Sequence, residues 1–219
     1  VELPVLAYYS TARLWEKKKE KRESAKLDLN SRFTGYLDCL DSMNNEKLMR
    51  KWLEQMTYIE LQRGEEVPEL SAVKRAILAC FNTSDNTREM GKADRCTFDV
   101  KSGEIEITYT LPNGKKEIHP LSEMSDGYRN MLSMVADIAY RMALLNPQLL
   151  DKVTEKTSGV VLIDEIDLHL HPAWQRHIVG ALKKIFPKVQ FIVSTHAPSV
   201  ISSVPQDEIV ILENHQVRK

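Results

Sequence analysis

Asp164 and Glu165 stand directly after four apolar residues, Val160 to Ile163, which themselves follow Gly159. An apolar run of this kind predicts a short strand buried on both faces, as in a parallel sheet. Ligands of such sheets bind beyond the carboxyl ends of the strands, which is where these two acids fall. A hydrophobic strand ending in Asp-Glu suits nucleoside triphosphate hydrolysis. The first acid can hold Mg²⁺, usually through water, and the second can accept a proton from attacking water. Many buried strands end in an acid, so the pair needs support from elsewhere in the chain. Ser125, Asp126 and Gly127 lie where an alternating stretch gives way to a helical one. Ser125 is a candidate N-cap, and free N–H groups beside a glycine make a ready anion site. Ser194, Thr195 and His196 end a second apolar run, and parallel strands would bring them to the same sheet edge as Asp164.

The elements that must position these residues are legible as patterns. Leu3 to Tyr9 predicts a strand. Residues 16–26, "EKKKEKRESAK", carry six basic and three acidic residues without an apolar period, a solvated segment or a phosphate-backbone contact. Apolar residues at helical spacing predict helices over 44–62 and 69–81. Residues 95–120 alternate apolar and polar, with turn signals at Lys101-Ser102-Gly103 and Pro112-Asn113-Gly114, as an antiparallel meander does. A helix over 125–145 comes next, with Met131, Val135, Ile138, Met142 and Leu145 on one face. Beyond the Asp-Glu strand come a helix over 172–186, a strand over 189–196, a short helix near Ala197 and a strand over 208–212. That order is α/β and implies a parallel sheet with right-handed crossovers.

Composition narrows the class. The 219 residues carry 30 basic and 31 acidic side chains, a formal charge of −1, so net charge gives no argument for a nucleic-acid partner. Cys39, Cys80 and Cys96 are scattered and odd in number, the usage of reduced thiols in a cytoplasmic protein. No apolar run approaches the ~18 residues of a membrane span.

Helix start, Asp-Glu strand and strand-end histidine, in this order, resemble the C-terminal half of an ABC-type ATPase of the SMC class. "MSDGYR" (124–129) is similar to the signature loop, with Ser125 and Gly127 at its serine and second glycine and Asp126 replacing the first glycine. "VVLIDE" (160–165) resembles Walker B, which makes Asp164 the Mg²⁺ acid and Glu165 the base. "STH" (194–196) resembles the switch loop, with His196 reaching the γ-phosphate of ATP. "DLHLHP" (167–172) stands where the D-loop would be, and puts His171 where most relatives carry aspartate, as in the RecF and OLD branches. More loosely, "LPVLAYYSTARLW" (3–15) and "RFTGYLDCLDSMNNEKLMRKW" (32–52) resemble a bacterial group of ATP-binding proteins that includes PtuA, the ATPase of Septu-type anti-phage systems.

The resemblance implies the α/β fold of a P-loop NTPase: an N-terminal strand with a helical region over 1–94, and the C-terminal ATPase lobe over 95–219. It also implies ATP and Mg²⁺ as ligands and a second copy bound head-to-tail. An HNH nuclease is the implied effector, with nucleic acid a further candidate partner. No G-x-x-x-x-G-K-[ST] run is present. In this class that Walker A loop lies far upstream, so the expectation is a chain that begins partway through the ATPase and is inactive by itself. Two alternatives stand beside this reading. One is a metal-dependent nuclease or hydrolase using His169, His171 and Asp164, with Glu165, Asp167 and His196 as further donors. The other is a non-catalytic dimerisation module, against which the presence of both Asp164 and Glu165 argues.

Overall fold

The computed structural model describes residues 1–11, 31–41, 46–83, 92–213 and 216–218. Strand β1 (Val5–Tyr9) is followed by helices α1 (Glu46–Arg63) and α2 (Pro68–Phe81). The meander is β2 (Lys92–Asp99), β3 (Glu104–Thr110) and β4 (Lys116–Pro120), paired antiparallel in that order. Then come the long helix α3 (Asp126–Leu145), the short α4 (Val153–Lys156) and strand β5 (Gly159–Ile163). The last part holds α5 (Pro172–Gln175), α6 (Ile178–Ile185), β6 (Val189–Val193), α7 (Pro198–Ile201), β7 (Ile211–Glu213) and β8 (Gln216–Arg218). The basic segment 16–26 lies outside the described residues.

Helix α3 is the spine of the molecule. Every residue from Met134 to Leu145 is buried, so this part of the helix is enclosed on all sides rather than along one stripe. It packs against α2 and β1, and against a 3₁₀ turn over Arg32–Tyr36. Two of its buried residues are charged. Tyr9 donates its hydroxyl to Asp137 Oδ2 at 2.7 Å, and Arg141 Nε donates to the same oxygen at 2.8 Å. Arg141 also donates to the carbonyls of Gly35 and Leu37, each at 3.0 Å. One acid and one base, four residues apart on the helix, therefore tie together β1, α3 and the 32–37 turn. Burial, followed by the nearby Asp137 charge, pushes the Tyr9 phenol well above its ordinary value, so it stays a donor. At the far end of α3 the buried Asn146 accepts from Leu3 N and donates to Leu3 O, both at 2.8 Å, fixing the approach to β1.

The parallel sheet has the order β1-β5-β6, in register from Val5 beside Gly159 to Tyr9 beside Ile163, and from there to Val193. A Cβ on Gly159 would stand 2.1 Å from the Val5 carbonyl oxygen, so only glycine permits this approach. The described residues before and after position 94 consequently contribute to one sheet and one core.

Four expectations need correction. First, the strand before Asp164 is buried on one face only. Val161 and Ile163 are covered, whereas Leu6, Leu162 and Ile192, on the other face, are 36–52% exposed. An apolar run reports the hydrophobicity of both faces but not whether anything lies on the second. Secondly, the helix over 172–186 breaks at Arg176-His177, where the His177 N–H turns back to the Trp174 carbonyl, three residues away, at 2.9 Å. Thirdly, the strand over 189–196 ends at Val193, where its partner β5 ends at Ile163 and the chain turns away. Finally, the run at 208–212 does not join the parallel sheet. A 3₁₀ turn over Gln206–Glu208 redirects the chain, and β7 pairs antiparallel with β8.

Candidate functional site

The carboxyl ends of β5 and β6 are adjacent, and Ser194 stitches them together. Its backbone N–H donates to Ile163 O at 2.9 Å, and its carbonyl accepts from Ile166 N at 3.1 Å. Its hydroxyl accepts from Glu165 N at 2.9 Å and donates to Asp164 Oδ1 at 3.2 Å. The other carboxylate oxygen of Asp164 accepts from the Tyr8 hydroxyl at 2.7 Å. A half-buried carboxylate thus accepts a hydroxyl on each oxygen, one from β1 and one from the residue that follows β6. The hydrogen bond to Asp164, then burial, raises the Tyr8 phenol above its ordinary value, which keeps it protonated at neutral pH.

The chain turns sharply after Asp164. Glu165 has φ 46° and His169 φ 60°, left-handed backbone that costs a residue with a side chain about 1–2 kcal/mol. The turn is closed by Leu168 N donating to Glu165 O at 2.9 Å and Leu170 N to Asp167 O at 3.0 Å. Thr195 donates its hydroxyl to Asp167 Oδ1, and Ala197 N donates to Thr195 Oγ1 at 3.0 Å. These bonds lock the turn after β5 to the loop after β6, with His196 exposed between the two anchors, Thr195 and Ala197.

The start of α3 meets the same turn from behind. A Cβ on Gly127 would lie 2.4 Å from the His169 carbonyl oxygen and 3.3 Å from Leu170 Cα, so the two backbones touch. Ser125 holds the N-cap position and is exposed, but its hydroxyl makes no capping hydrogen bond, contrary to expectation. The first turn is braced instead by Arg129 donating to Asp126 Oδ1 at 2.6 Å. The Ser125 hydroxyl is therefore not spent on capping its own helix.

His171 does cap a helix. Its Nδ1 accepts from Ala173 N at 3.3 Å, at the start of α5. That engages one ring nitrogen of a residue the metalloenzyme alternative needs as a ligand. Among the described residues no group of three or more His, Cys, Asp and Glu side chains comes together to hold a metal ion, so His169, His171 and Asp164 do not form a ligand set. Asp164 alone suits magnesium, which is commonly held by one or two carboxylates together with substrate phosphates. Sequence reasoning assigned Asp164, Glu165 and His196 to one edge, and they lie there. It missed Ser194 and Tyr8 as partners of Asp164. Ser194 carried a signal, being the hydroxyl residue immediately after the second apolar run. Tyr8 carried none beyond its place two residues after Leu6, on the same face of the strand.

A family model described as "AAA domain, putative AbiEii toxin, Type IV TA system" matches residues 2–202. The chain belongs to this AAA-domain family. Similar curated proteins include the Retron Ec83 probable ATPase of Escherichia coli, 27% identical over 99% of this chain and 48% of that protein. The Retron Vc95 probable ATPase of Vibrio cholerae is 45% identical over 43% of this chain and 18% of its own length. Septu protein PtuA of Bacillus mycoides is 41% identical over 44% of this chain and 13% of its own length. The chain spans at most about half of each of these relatives. Among solved structures, an SMC ATPase described for ATP-driven dimerisation aligns with a TM-score of 0.38 and 21% identity, over 66% of this chain and 83% of that one. No helix among the described residues is long and apolar enough to cross a membrane.

Proposed function

We propose that this chain carries the hydrolytic edge of a Mg²⁺-dependent ATPase that works as a head-to-tail pair. The observation that carries the reading is the joined ends of β5 and β6, where Asp164, Glu165 and His196 follow neighbouring parallel strands in register from Ile163 to Val193. Asp164 is the acid that would hold the cation. A bound Mg²⁺ ion supplies positive charge to the phosphate oxygens. Glu165 takes the proton from the attacking water, and the turn that carries it is fixed by Ser194 and Thr195. His196 donates to the γ-phosphate. Ser125 and the N–H groups at the start of α3 bind the γ-phosphate of ATP held by the partner copy, which agrees with a hydroxyl that caps nothing in its own helix.

The phosphate-binding loop belongs to a further part of the full-length protein in this reading. The uncovered apolar face at Leu6, Leu162 and Ile192 supports it, because parallel sheets are covered on both faces. The Septu and retron relatives support a role in phage defence, with ATP controlling an effector such as an HNH nuclease.

In the full-length protein, Glu165→Gln should cut turnover by ~10²–10⁴ while ATP stays bound. Subunits carrying Ser125→Arg should be inactive alone, and mixing them with Glu165→Gln subunits should restore one intact composite site and partial ATPase activity. A Glu165→Gln protein that hydrolyses ATP at the wild-type rate overturns the base assignment. One that stays monomeric in saturating Mg²⁺-ATP overturns the head-to-tail reading.

A further inference from the structure

We propose that Tyr8 is a positioning residue of the phosphate site: its hydroxyl, presented from β1, aims the Asp164 carboxylate at the cation. The inference rests on the reading of Asp164 as the magnesium acid. Tyr8 pairs in register with Leu162, two residues before Asp164, and sits on the uncovered face of the sheet. Its phenol is long enough to reach past the end of β5 and meet the carboxylate there. At 2.7 Å the contact has the length of a charge-assisted O–H···O⁻ bond. The Ser194 contact to the other oxygen is longer, 3.2 Å, and its hydroxyl is shared with Glu165 N. Tyr8 is therefore the stronger of the two restraints.

Two features make the restraint directional. The Asp χ2 torsion is broad and two-fold, so the carboxylate plane is set by its partners rather than by its own rotamer. Each carboxylate oxygen also has two lone pairs. A hydroxyl on each oxygen sets the plane, and neither hydroxyl occupies more than one of the two lone pairs it meets. The tyrosine itself cannot drift. Its backbone N–H donates to Cys39 O at 2.8 Å, and the next residue, Tyr9, points to the opposite face and is anchored on Asp137 at 2.7 Å. Adjacent tyrosines on one strand thus hold the proposed cation acid on one side and the spine helix on the other.

The test uses the full-length protein saturated with a non-hydrolysable ATP analogue, with free Mn²⁺ titrated by electron paramagnetic resonance well below the unfolding midpoint. Tyr8→Phe keeps the ring and removes only the donor. It should weaken Mn²⁺ affinity by roughly ten-fold, the lower end for loss of a partner that orients a metal-site carboxylate, and leave the unfolding midpoint of the nucleotide-free protein unchanged. Asp164→Asn is the reference and should weaken Mn²⁺ at least as much. If Asp164→Asn weakens Mn²⁺ and Tyr8→Phe stays within two-fold of wild type, the role of Tyr8 is overturned while that of Asp164 stands. A lower midpoint with unchanged Mn²⁺ affinity likewise reduces Tyr8 to a structural role. If Asp164→Asn itself leaves Mn²⁺ binding unchanged, the assignment of Asp164 fails, and that of Tyr8 with it.

Discussion

Replacing Gly127 with alanine tests the contact that joins the start of α3 to the turn after β5. The added Cβ would stand 2.4 Å from the His169 carbonyl oxygen and 3.1 Å from its carbonyl carbon. Ordinary carbon–oxygen contacts lie near 3.3 Å, so one backbone must retreat by about 1 Å. Neither side has a flexible side chain to give way, and the turn already holds Glu165 and His169 at positive φ. Overpacking of this kind costs about 1–3 kcal/mol. Alanine recovers up to ~1 kcal/mol of helix propensity, less in a first turn. The net loss is about 1–2 kcal/mol, which lowers Tm by about 2–8 °C at this chain length. Gly180, inside α6, is the matched control because a Cβ there meets nothing within 4 Å. Gly180→Ala should stabilise by ~0.5–1 kcal/mol. Thermal unfolding followed by circular dichroism reads both variants. A Gly127→Ala protein as stable as wild type would refute the backbone contact, and so would one that rises alongside Gly180→Ala.

Two further outcomes follow from the buried polar groups. Arg141→Leu leaves Asp137 buried with only the Tyr9 hydroxyl as partner, and should cost about 3–5 kcal/mol in urea denaturation, far more than a surface arginine. Burial pushes the thiols of Cys80 and Cys96 up to about 12, so at pH ~8 only about one in 10⁴ is the reactive thiolate; Ellman's reagent should modify at most one thiol of the folded protein, the half-buried Cys39, and all three after unfolding.

What could be read in the sequence was whatever residue type and local period encode. Helix α3 was legible because Met131, Val135, Ile138 and Met142 repeat at helical spacing, and all four are buried. The meander was legible from its turns. Asp164, Glu165 and His196 were legible because carboxylates and histidine after apolar runs are chemically unusual. The partners of Asp164 were not, since Ser194 lies 30 positions away and Tyr8 lies 156 away. Such pairings depend on strand order and register, which local pattern does not carry. The same limit hid the uncovered sheet face: Leu162 looks like any core residue until its neighbours are known. The run at 208–212 misled for the converse reason. Its residues suit a buried strand, but Val210, Ile211 and Leu212 are all more than half exposed.

The contact between Gly127 and His169 has a mechanical meaning once the proposed roles are set beside it. In the proposed mechanism Glu165 opens the turn that acts on the subunit's own ATP, and Ser125 precedes the helix that acts on the partner's. The two are joined through backbone atoms in direct contact at Gly127, with no compressible side chain between them. Packed interiors transmit displacement rather than absorb it, so a shift of the 165–171 turn has to move the start of α3 as well. The rest of α3 cannot follow freely, because Asp137 and Arg141 bind it to β1 and to the 32–37 turn. Any such movement would be confined to the first turns of the helix, where Ser125 stands. If the proposed roles hold, a change at one ATP would be passed to the site that the same subunit completes for its partner.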